Sequence, residues 1–445
     1  MLTDVIAAPA TPLGQSAIAV VRLSGRGAHQ VAAAVLKPFE TQPARFAHKS
    51  RIVRPTDGEL LDEVLYVSYD GPHSYTGEDM VEISTHGGML VPREVLSAVL
   101  RAGAREALPG EFTRRALLNG KLDLLQAEAV GDLVAATTPV QRKAALGQLD
   151  RSLSAKLAAL RDQIIELETL CCYEIDFPEE DSGPVDPERI AVAIDRVLAS
   201  LSGLLATAET GERLREGALC VIAGQPNVGK STLFNALLGS DRAIVTETPG
   251  TTRDAIEAPA TFDGYPFRLV DTAGLRDTAE TVERIGVEFS RRYLAKSDIV
   301  LFCSEASSDE AEVPDFIMNL GRPILVVRTK ADLFGPKPAP GGISVSALTG
   351  AGLSELRGEL VESMFSVGNS AMGDEPIITR PRHRVALETA VTEMEKFEST
   401  RASGIETAVA ATHLRAAVAA LESVVGVVTP EDVLNQVFAT FCVGK

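Results

Sequence analysis

The sequence predicts a multidomain protein. An α+β amino-terminal domain is followed by a discontinuous α-helical bundle, into which a doubly wound α/β domain is inserted. Three observations carry this. The chain has 445 residues, too long for one ordinary core and enough for about three domains. Leu122 to about Arg215, and again about Arg382 to Phe441, are rich in Leu, Ala, Gln, Glu and Arg with apolar residues at helical spacing. Between them, strand and helix signals alternate as they do in parallel α/β sheets.

Taken in order, the first domain spans residues 1–118. Ala17–Leu23 reads as a strand and Ala28–Leu36 as a short helix after Gly25-Arg26-Gly27. Val64–Val67 and Met80–Ile83 read as further strands bounded by Gly, Pro and Ser. Residues 119–216 form the first helical part, with Leu153, Leu157, Leu160, Ile164, Leu167 and Leu170 on one stripe; only Asp176–Pro184 interrupts it. Residues 379–445 form the second part, carrying His383, Leu387, Leu414, Val418 and Leu421. Two separate helical domains, or one bundle split by an insert, both fit. Insertion at a surface loop favours the split bundle. The insert, 217–378, has candidate strands at Leu219–Ala223, Phe267–Val270, Ile299–Phe302, Ile324–Val327 and Ile343–Val345.

Composition excludes several classes. Apolar residues make up 45% and charged residues 23%, the balance of a soluble globular chain. No run of about 18 apolar residues predicts a membrane span, and the amino end lacks signal-peptide or presequence character, so a cytoplasmic protein without a membrane partner is expected. Five scattered cysteines without a CxxC pair give neither a disulfide framework nor a zinc site. A net charge of −18 argues against a broad nucleic-acid-binding face, so any RNA contact needs a local basic patch or a partner.

The insert carries the chemistry. Gly224-Gln225-Pro226-Asn227-Val228-Gly229-Lys230-Ser231 matches GxxxxGK[ST] between a strand and the helical run Thr232–Leu238. Glycines let loop N–H groups face phosphates, and the helix that follows adds its positive end. Lys230 would reach the β- and γ-phosphates and Ser231 would ligate Mg²⁺. In Pro249-Gly250-Thr251-Thr252-Arg253-Asp254, a hydroxyl (Thr252) would complete the Mg²⁺ shell and sense the γ-phosphate. Asp271-Thr272-Ala273-Gly274 follows a strand end, where a carboxylate holds Mg²⁺ through water and a glycine N–H meets the γ-phosphate. Thr329-Lys330-Ala331-Asp332 then selects guanine. A carboxylate there accepts from N1–H and the 2-amino group, and adenine would leave it unpaired at about 1–3 kcal/mol or more. Ser346-Ala347-Leu348 would offer N–H groups to guanine O6. Thr329 stands where Asn is commoner and Leu348 where Lys or Arg is; the Thr hydroxyl keeps the capacity to brace neighbouring loops.

Hydrolysis needs a positioned water. Leu275, in the place after DxxG where Ras-like enzymes put Gln, cannot supply it. Glu283, acting through a water, and Arg253, Arg276 and Arg284 are candidates, although a solvated helix carboxylate is the commoner role for Glu283. Asn227 reads equally as a turn residue or as a monovalent-cation ligand. In the second case Thr246, Thr248 and Thr251 complete the shell.

Outside the insert stand Ser74-Tyr75-Thr76-Gly77-Glu78-Asp79, Thr85-His86-Gly87-Gly88, Pro109-Gly110-Glu111-Phe112-Thr113, Leu118–Glu128 and Phe441-Cys442-Val443-Gly444-Lys445. With the insert's motifs, these resemble the MnmE (TrmE) family of tRNA modification GTPases along essentially the whole chain. The resemblance implies an amino-terminal domain that forms a homodimer and binds 5-formyl- or 5,10-methylene-tetrahydrofolate through Arg22, Glu82, Lys121 and Lys445. It implies Glu283 as the water-positioning acid, Asn227 as a K⁺ ligand, and catalytic roles for Lys230, Thr252 and Asp271. The GTP contacts would run over 227–232, Thr246, Glu247, Thr248, Pro249, Gly250, Thr251, Thr252 and 271–274, then Thr329, Lys330, Asp332 and 346–348. It further implies tRNA as substrate and an FAD-dependent, MnmG-like partner. From the residues alone, Arg22 is a strand-end charge and Lys445 a terminal one. Cys442 is a candidate site residue, although a small buried role is commoner for a free cysteine. A ribosome-assembly switch would carry a basic appendage and a dynamin-like protein an amphipathic paddle; neither is visible.

Overall fold

The computed structural model describes residues 4–176, 187–239, 257–272, 291–306, 312–334, 342–371, 376–404, 406–426 and 431–445. By internal contacts the chain forms two units: residues 1–131 with 425–445, and residues 132–424.

The first unit is built on a seven-stranded sheet of β1 (Ile6–Pro9), β2 (Gly14–Ser24), β3 (Leu36–Lys37), β4 (Ala47–Val53), β5 (Leu60–Tyr69), β6 (Met80–Gly88) and β7 (Arg105–Glu106). Their order is β3-β4-β5-β6-β2-β1-β7, antiparallel except for the β1–β7 pair. Alternation on β2 sends Ala19, Val21 and Leu23 into the core with Val81 and Ile83 of β6. The helices α1 (Ala28–Val35) and α2 (Val91–Arg101) seal that face with Val31, Val95 and Val99. The same alternation leaves Arg22 and Glu82 on the other face, directly opposed in register.

Two further helices, α3 (Glu111–Leu118) and α4 (Leu124–Ala135), begin the helical material. Onto them folds the terminal helix Glu431–Phe438, whose Leu434, Val437 and Phe438 pack with Leu124 and Ala127. A left-handed Gly110 (φ 67°) starts α3. A Cβ there would come within 2.9 Å of Phe438 and 3.0 Å of Phe441, so glycine serves both the turn and the close approach. The last residues of the chain thus sit in the first unit, although they are contiguous in sequence with the second helical stretch.

In the second unit, α5 (Pro139–Leu149), α6 (Ser152–Asp176), α7 (Pro187–Leu205) and α8 (Ala208–Glu216) precede the α/β domain, and helices Pro381–Ala402 and Thr407–Val425 follow it. Here α7 packs against both α6 and Pro381–Ala402, so helices from the two sides of the insert share one core. By length and composition Glu188–Glu216 and Thr407–Val425 would suffice to cross a bilayer. In the fold, however, each buries a stripe against its neighbours, Ile190, Ile194, Val197 and Leu201 on one and Ala410, Leu414, Ala417 and Leu421 on the other.

The insert's sheet comprises β8 (Ala218–Gly224), β9 (Glu257–Phe262), β10 (Tyr265–Asp271), β11 (Ile299–Glu305), β12 (Ile324–Thr329) and β13 (Ile343–Ser344), in the order β13-β12-β11-β8-β10-β9. All neighbours are parallel except the β9–β10 hairpin. Central β8 is buried from Ala218 to Ala223, with Cys220 and Ile222 in one hydrophobic cluster and Leu219, Val221 and Ala223 in the other. This two-sided burial is why it reads as a continuous apolar run. Successive strands lie on opposite sides of β8, so the loop at its carboxyl end opens at a topological switch point, where ligands of such sheets bind.

Candidate functional site: a phosphate loop and a guanine pocket

The loop after β8 leads into α9 (Lys230–Gly239). Three of its residues are left-handed or nearly so: Gly224 (φ 145°), Asn227 (φ 63°) and Gly229 (φ 96°). A side chain at Gly224 would meet the Cys303 carbonyl oxygen at 2.3 Å, so the loop leaves the sheet only with glycine there. Lys230 is 6% exposed, and its Nζ donates to the carbonyls of Gly224 (3.1 Å) and Gln225 (2.6 Å). The ammonium is thus held inside the curl of its own loop. Val228 is buried, while Asn227, Ser231 and Thr232 are exposed at the loop and helix start. Asp271 ends β10 at 7% exposure, in register with Ile222 of β8. Thr272 donates its hydroxyl to the Ile222 carbonyl at 2.8 Å. A hydroxyl at the start of α9 and a carboxylate at the end of β10 are hard oxygen donors, the set that suits Mg²⁺, so Ser231 and Asp271 fit that ion by chemistry.

The base-recognition residues come together at the ends of β12 and β13. Thr329 is 4% exposed; its hydroxyl donates to the carbonyl of Val228 and lies 3.1 Å from that of Ser304. It therefore ties the phosphate loop to β11 and β12, giving partners to the loop-bracing capacity expected of this hydroxyl. Lys330 (φ 60°) pairs with Glu305, which holds its stem at the edge of the pocket. Ser346, fully buried, donates to Asp332 Oδ1 at 2.6 Å and orients a carboxylate whose residue is otherwise exposed. The turn is closed by Ser346 N–H to Ala351 O at 2.9 Å, with Leu348 83% exposed and Ala347 partly so. Burial pushes the Cys220 thiol well up and that of Cys303 up to about 12, so both are neutral packing groups beneath the site. Thr246, Glu247, Thr248, Pro249, Gly250, Thr251, Thr252, Ala273, Gly274 and Glu283 lie outside the described residues, as do Arg253, Leu275, Arg276 and Arg284.

In the first unit, the register that opposes Arg22 and Glu82 gives a cross-strand pair, with Nε and Nη2 each 2.8 Å from Oε1. Tyr69 donates to Glu82 Oε2 at 3.3 Å. The guanidinium lies 5.6 Å from the ring centroids of both Tyr75 and Phe112, and Nη1 donates to the Gly444 carbonyl at 3.2 Å. Gly444 rests on Pro9, with room for no Cβ, since one would fall 2.1 Å from the Pro9 oxygen. Lys445 is held below the ordinary lysine range by burial and then by the Arg22 charge. Lys121 contacts the 71–79 segment, donating to Pro72 O at 2.9 Å and lining Gly77. Cys442 is exposed. Two cations, an aromatic pair and a carboxylate form a corner whose chemistry fits a ligand carrying both a ring and carboxylates, such as a folate.

The sequence reading missed what supports this corner. Arg115, 1% exposed, bonds Asp4, Glu78 and Glu111 together, with Nη2 2.9 Å from Asp4 Oδ1 and 3.1 Å from Glu111 Oε1, and Nη1 3.2 Å from Glu78 Oε2. Arg105 joins Asp4 and Glu111 at 2.6 Å each. Glu78 and Glu111 belong to the two motifs singled out above, which was the available signal; their common partner could not be read.

A phosphate loop at the switch point of a parallel sheet, beside an oriented carboxylate on a TKxD turn, defines a P-loop protein of the guanine-nucleotide-binding class. The family model described as MnmE helical domain matches residues 124–442, and that described as GTP-binding protein TrmE N-terminus matches residues 5–121. The chain is 42% identical over 455 residues to a tRNA modification GTPase MnmE of Aquifex aeolicus (strain VF5), covering 100% of both. It is 43% identical over 452 residues to that of Methylobacterium radiotolerans, covering 100% of this chain and 99% of the relative. With that of Heliobacterium modesticaldum it shares 42% over 471 residues, again 100% of both. The chain belongs to the MnmE (TrmE) family of tRNA modification GTPases, and it is an enzyme of that kind.

Proposed function

We propose that this chain is a potassium-dependent GTP hydrolase that works with an FAD-dependent, MnmG-like partner. Together they install an aminomethyl or carboxymethylaminomethyl group at C5 of the tRNA wobble uridine, using the one-carbon unit of a tetrahydrofolate. The observation that carries the folate part is the corner in which the terminal Gly444-Lys445 meets Arg22 above Tyr75 and Phe112, beside Glu82. A lysine held below its ordinary range against an arginine favours an anionic ligand, which relieves the repulsion.

In the G domain, Lys230 and the loop N–H groups bind and orient the phosphates, Thr329 holds the loop to the base pocket, and Asp332 selects guanine. Ser231, Asp271 and Thr252 would hold Mg²⁺, which would supply positive charge to offset that of the phosphates. Asn227, Thr246, Thr248 and Thr251 would hold K⁺, whose charge takes the place of an arginine finger worth about 10³–10⁵ in rate. Glu283 then orients the attacking water. The net charge of −18 supports leaving much of the tRNA contact to the partner. Exposed Leu13, Ile18, Met89 and Leu90 at the paired ends of β2 and β6 support a homodimer through the first unit, working in the cytoplasm.

The test is GTP turnover by the purified chain in potassium and in sodium at matched ionic strength, with titration of 5-formyl-tetrahydrofolate beside it. Much faster turnover in potassium, and folate binding lost in Arg22→Ala, are expected. Equal rates in the two salts would sink the potassium mechanism and turn attention to Arg253 and Arg276. Folate binding unaffected by Arg22→Ala would remove the site from this corner.

A further inference from the structure

Away from both sites, three potential metal ligands converge in the first unit. His29 on α1, Asp70 after β5 and Asp79 before β6 present ligand atoms that all lie within 4.8 Å of one another. His29 Nε2 faces the Tyr69 carbonyl at 3.2 Å, and a carbonyl only accepts, so this nitrogen carries the proton. In the neutral ring Nδ1 is then a lone pair, on the side of Asp70. It is 3.9 Å from Asp70 Oδ1, too far for a hydrogen bond. That separation is within the span of two ligands that each reach about 2.1 Å to a shared ion. An imidazole that donates one N–H to a backbone carbonyl while offering its other nitrogen is arranged as metal-bound histidines are.

The carboxylates are prepared in the same way. Asp70 Oδ2 accepts from Gln42 Nε2 at 3.2 Å and Asp79 Oδ1 from the Gly71 N–H at 3.1 Å, which fixes each group while leaving it a second oxygen. Two carboxylates this close repel unless a positive charge lies between them. A small contraction brings the three ligand atoms onto one ion, and Asp70, 46% exposed at its side chain, leaves solvent a path to a fourth position.

We propose that His29, Asp70 and Asp79 form a binding site for a divalent transition-metal ion of the zinc class. Imidazole with two carboxylates favours such an ion over Mg²⁺, which takes oxygen ligands and keeps its waters. The site closes the base of the segment 71–78, whose Tyr75 lies under Arg22 and whose Gly77 packs on Lys121. The ion's work is to fix that segment.

The experiment is equilibrium dialysis of the full chain against chelator-buffered Zn²⁺, with GDP and excess Mg²⁺ present, comparing wild type with His29→Gln and Asp70→Asn. One Zn²⁺ per chain is expected to be lost from each variant. Losing an outer-sphere partner alone weakens such sites by about 10–100-fold, so removal of a ligand should exceed about 100-fold. Co²⁺ loaded into wild type should give ligand-field absorption without a thiolate charge-transfer band, which separates this site from exposed Cys442. Asp70 is half-exposed, so Asp70→Asn should melt with wild type in chelator and only wild type should gain stability with Zn²⁺. Equal Zn²⁺ stoichiometry and affinity in wild type and both variants would overturn the proposal, as would a Co²⁺ spectrum unchanged in His29→Gln.

Discussion

Replacing Thr329 by Val tests whether its hydroxyl couples the base pocket to the phosphate loop. The change keeps shape and volume nearly constant at a position 4% exposed, so packing is preserved while one donor is removed. That donor serves the Val228 carbonyl in the loop and the Ser304 carbonyl at the end of β11. Leaving a buried acceptor without its partner costs about 1–3 kcal/mol. A difference of about 1.4 kcal/mol is tenfold in an equilibrium constant. The loop is the part free to relax, so most of the loss should appear as weaker nucleotide binding, with GDP affinity falling about 5–100-fold. Fluorescent-GDP titration of the full chain, read beside its urea unfolding midpoint, measures both. Thr329→Ser, which restores the hydroxyl, should recover most of the affinity. A variant whose midpoint falls while GDP affinity stays within about twofold would refute the brace, because the hydroxyl would then support the sheet and not the loop.

Lys445→Ala should leave the thermal midpoint at neutral pH unchanged or raised while abolishing folate binding, because burial and the Arg22 charge both disfavour its ammonium. The lowered folded pKa means that this penalty is present below it and is relieved as pH rises toward the ordinary lysine value near 10.4. A clear loss of stability in the variant would make Lys445 a structural residue. Glu111 tests the buried ion network at the opposite end of the pH scale. Burial raises its pKa, but hydrogen bonds from Arg105, the Leu108 N–H and Arg115 outweigh this and hold it below the ordinary glutamate value of 4.5. Its stabilising contribution is therefore full above that value and lost as pH falls through the depressed one. Glu111→Gln should be less stable than wild type at pH 7 and converge with it in acid; parallel curves of urea midpoint against pH would contradict the assignment.

The G domain was the most legible part of the chain, for a physical reason. A parallel strand buried on both faces must be apolar throughout, so β8, β10, β11 and β12 announce themselves, and a loop that curls around phosphate requires glycines at fixed places. Strands β1, β3, β4, β7 and β9 escaped the same reading, and two of them show why. β9, Glu257–Phe262, contains Pro259, which an interior strand excludes; β9 is an edge strand, where a missing N–H is tolerated. β1, Ile6-Ala7-Ala8-Pro9, is four residues long and owes its conformation to pairing with β2 and β7.

The sequence by itself determined the long helices and the doubly buried strands, where the nucleotide loop lies, and which residue types serve the base, because these depend on local period, backbone freedom and short spacings. The tertiary structure decided what is brought together across long separations. Arg22 meets Glu82 only because the β2–β6 register opposes them on the face away from the core. It meets Gly444 because the terminal helix buries Leu434, Val437 and Phe438 on Leu124 and Ala127, carrying the last residues back over 422 positions of chain. Likewise Asp4, Glu78, Glu111 and Arg115 are far apart in the sequence, with no sign there of a common partner; burial turns them into one network, since a guanidinium 1% exposed must have its carboxylates around it.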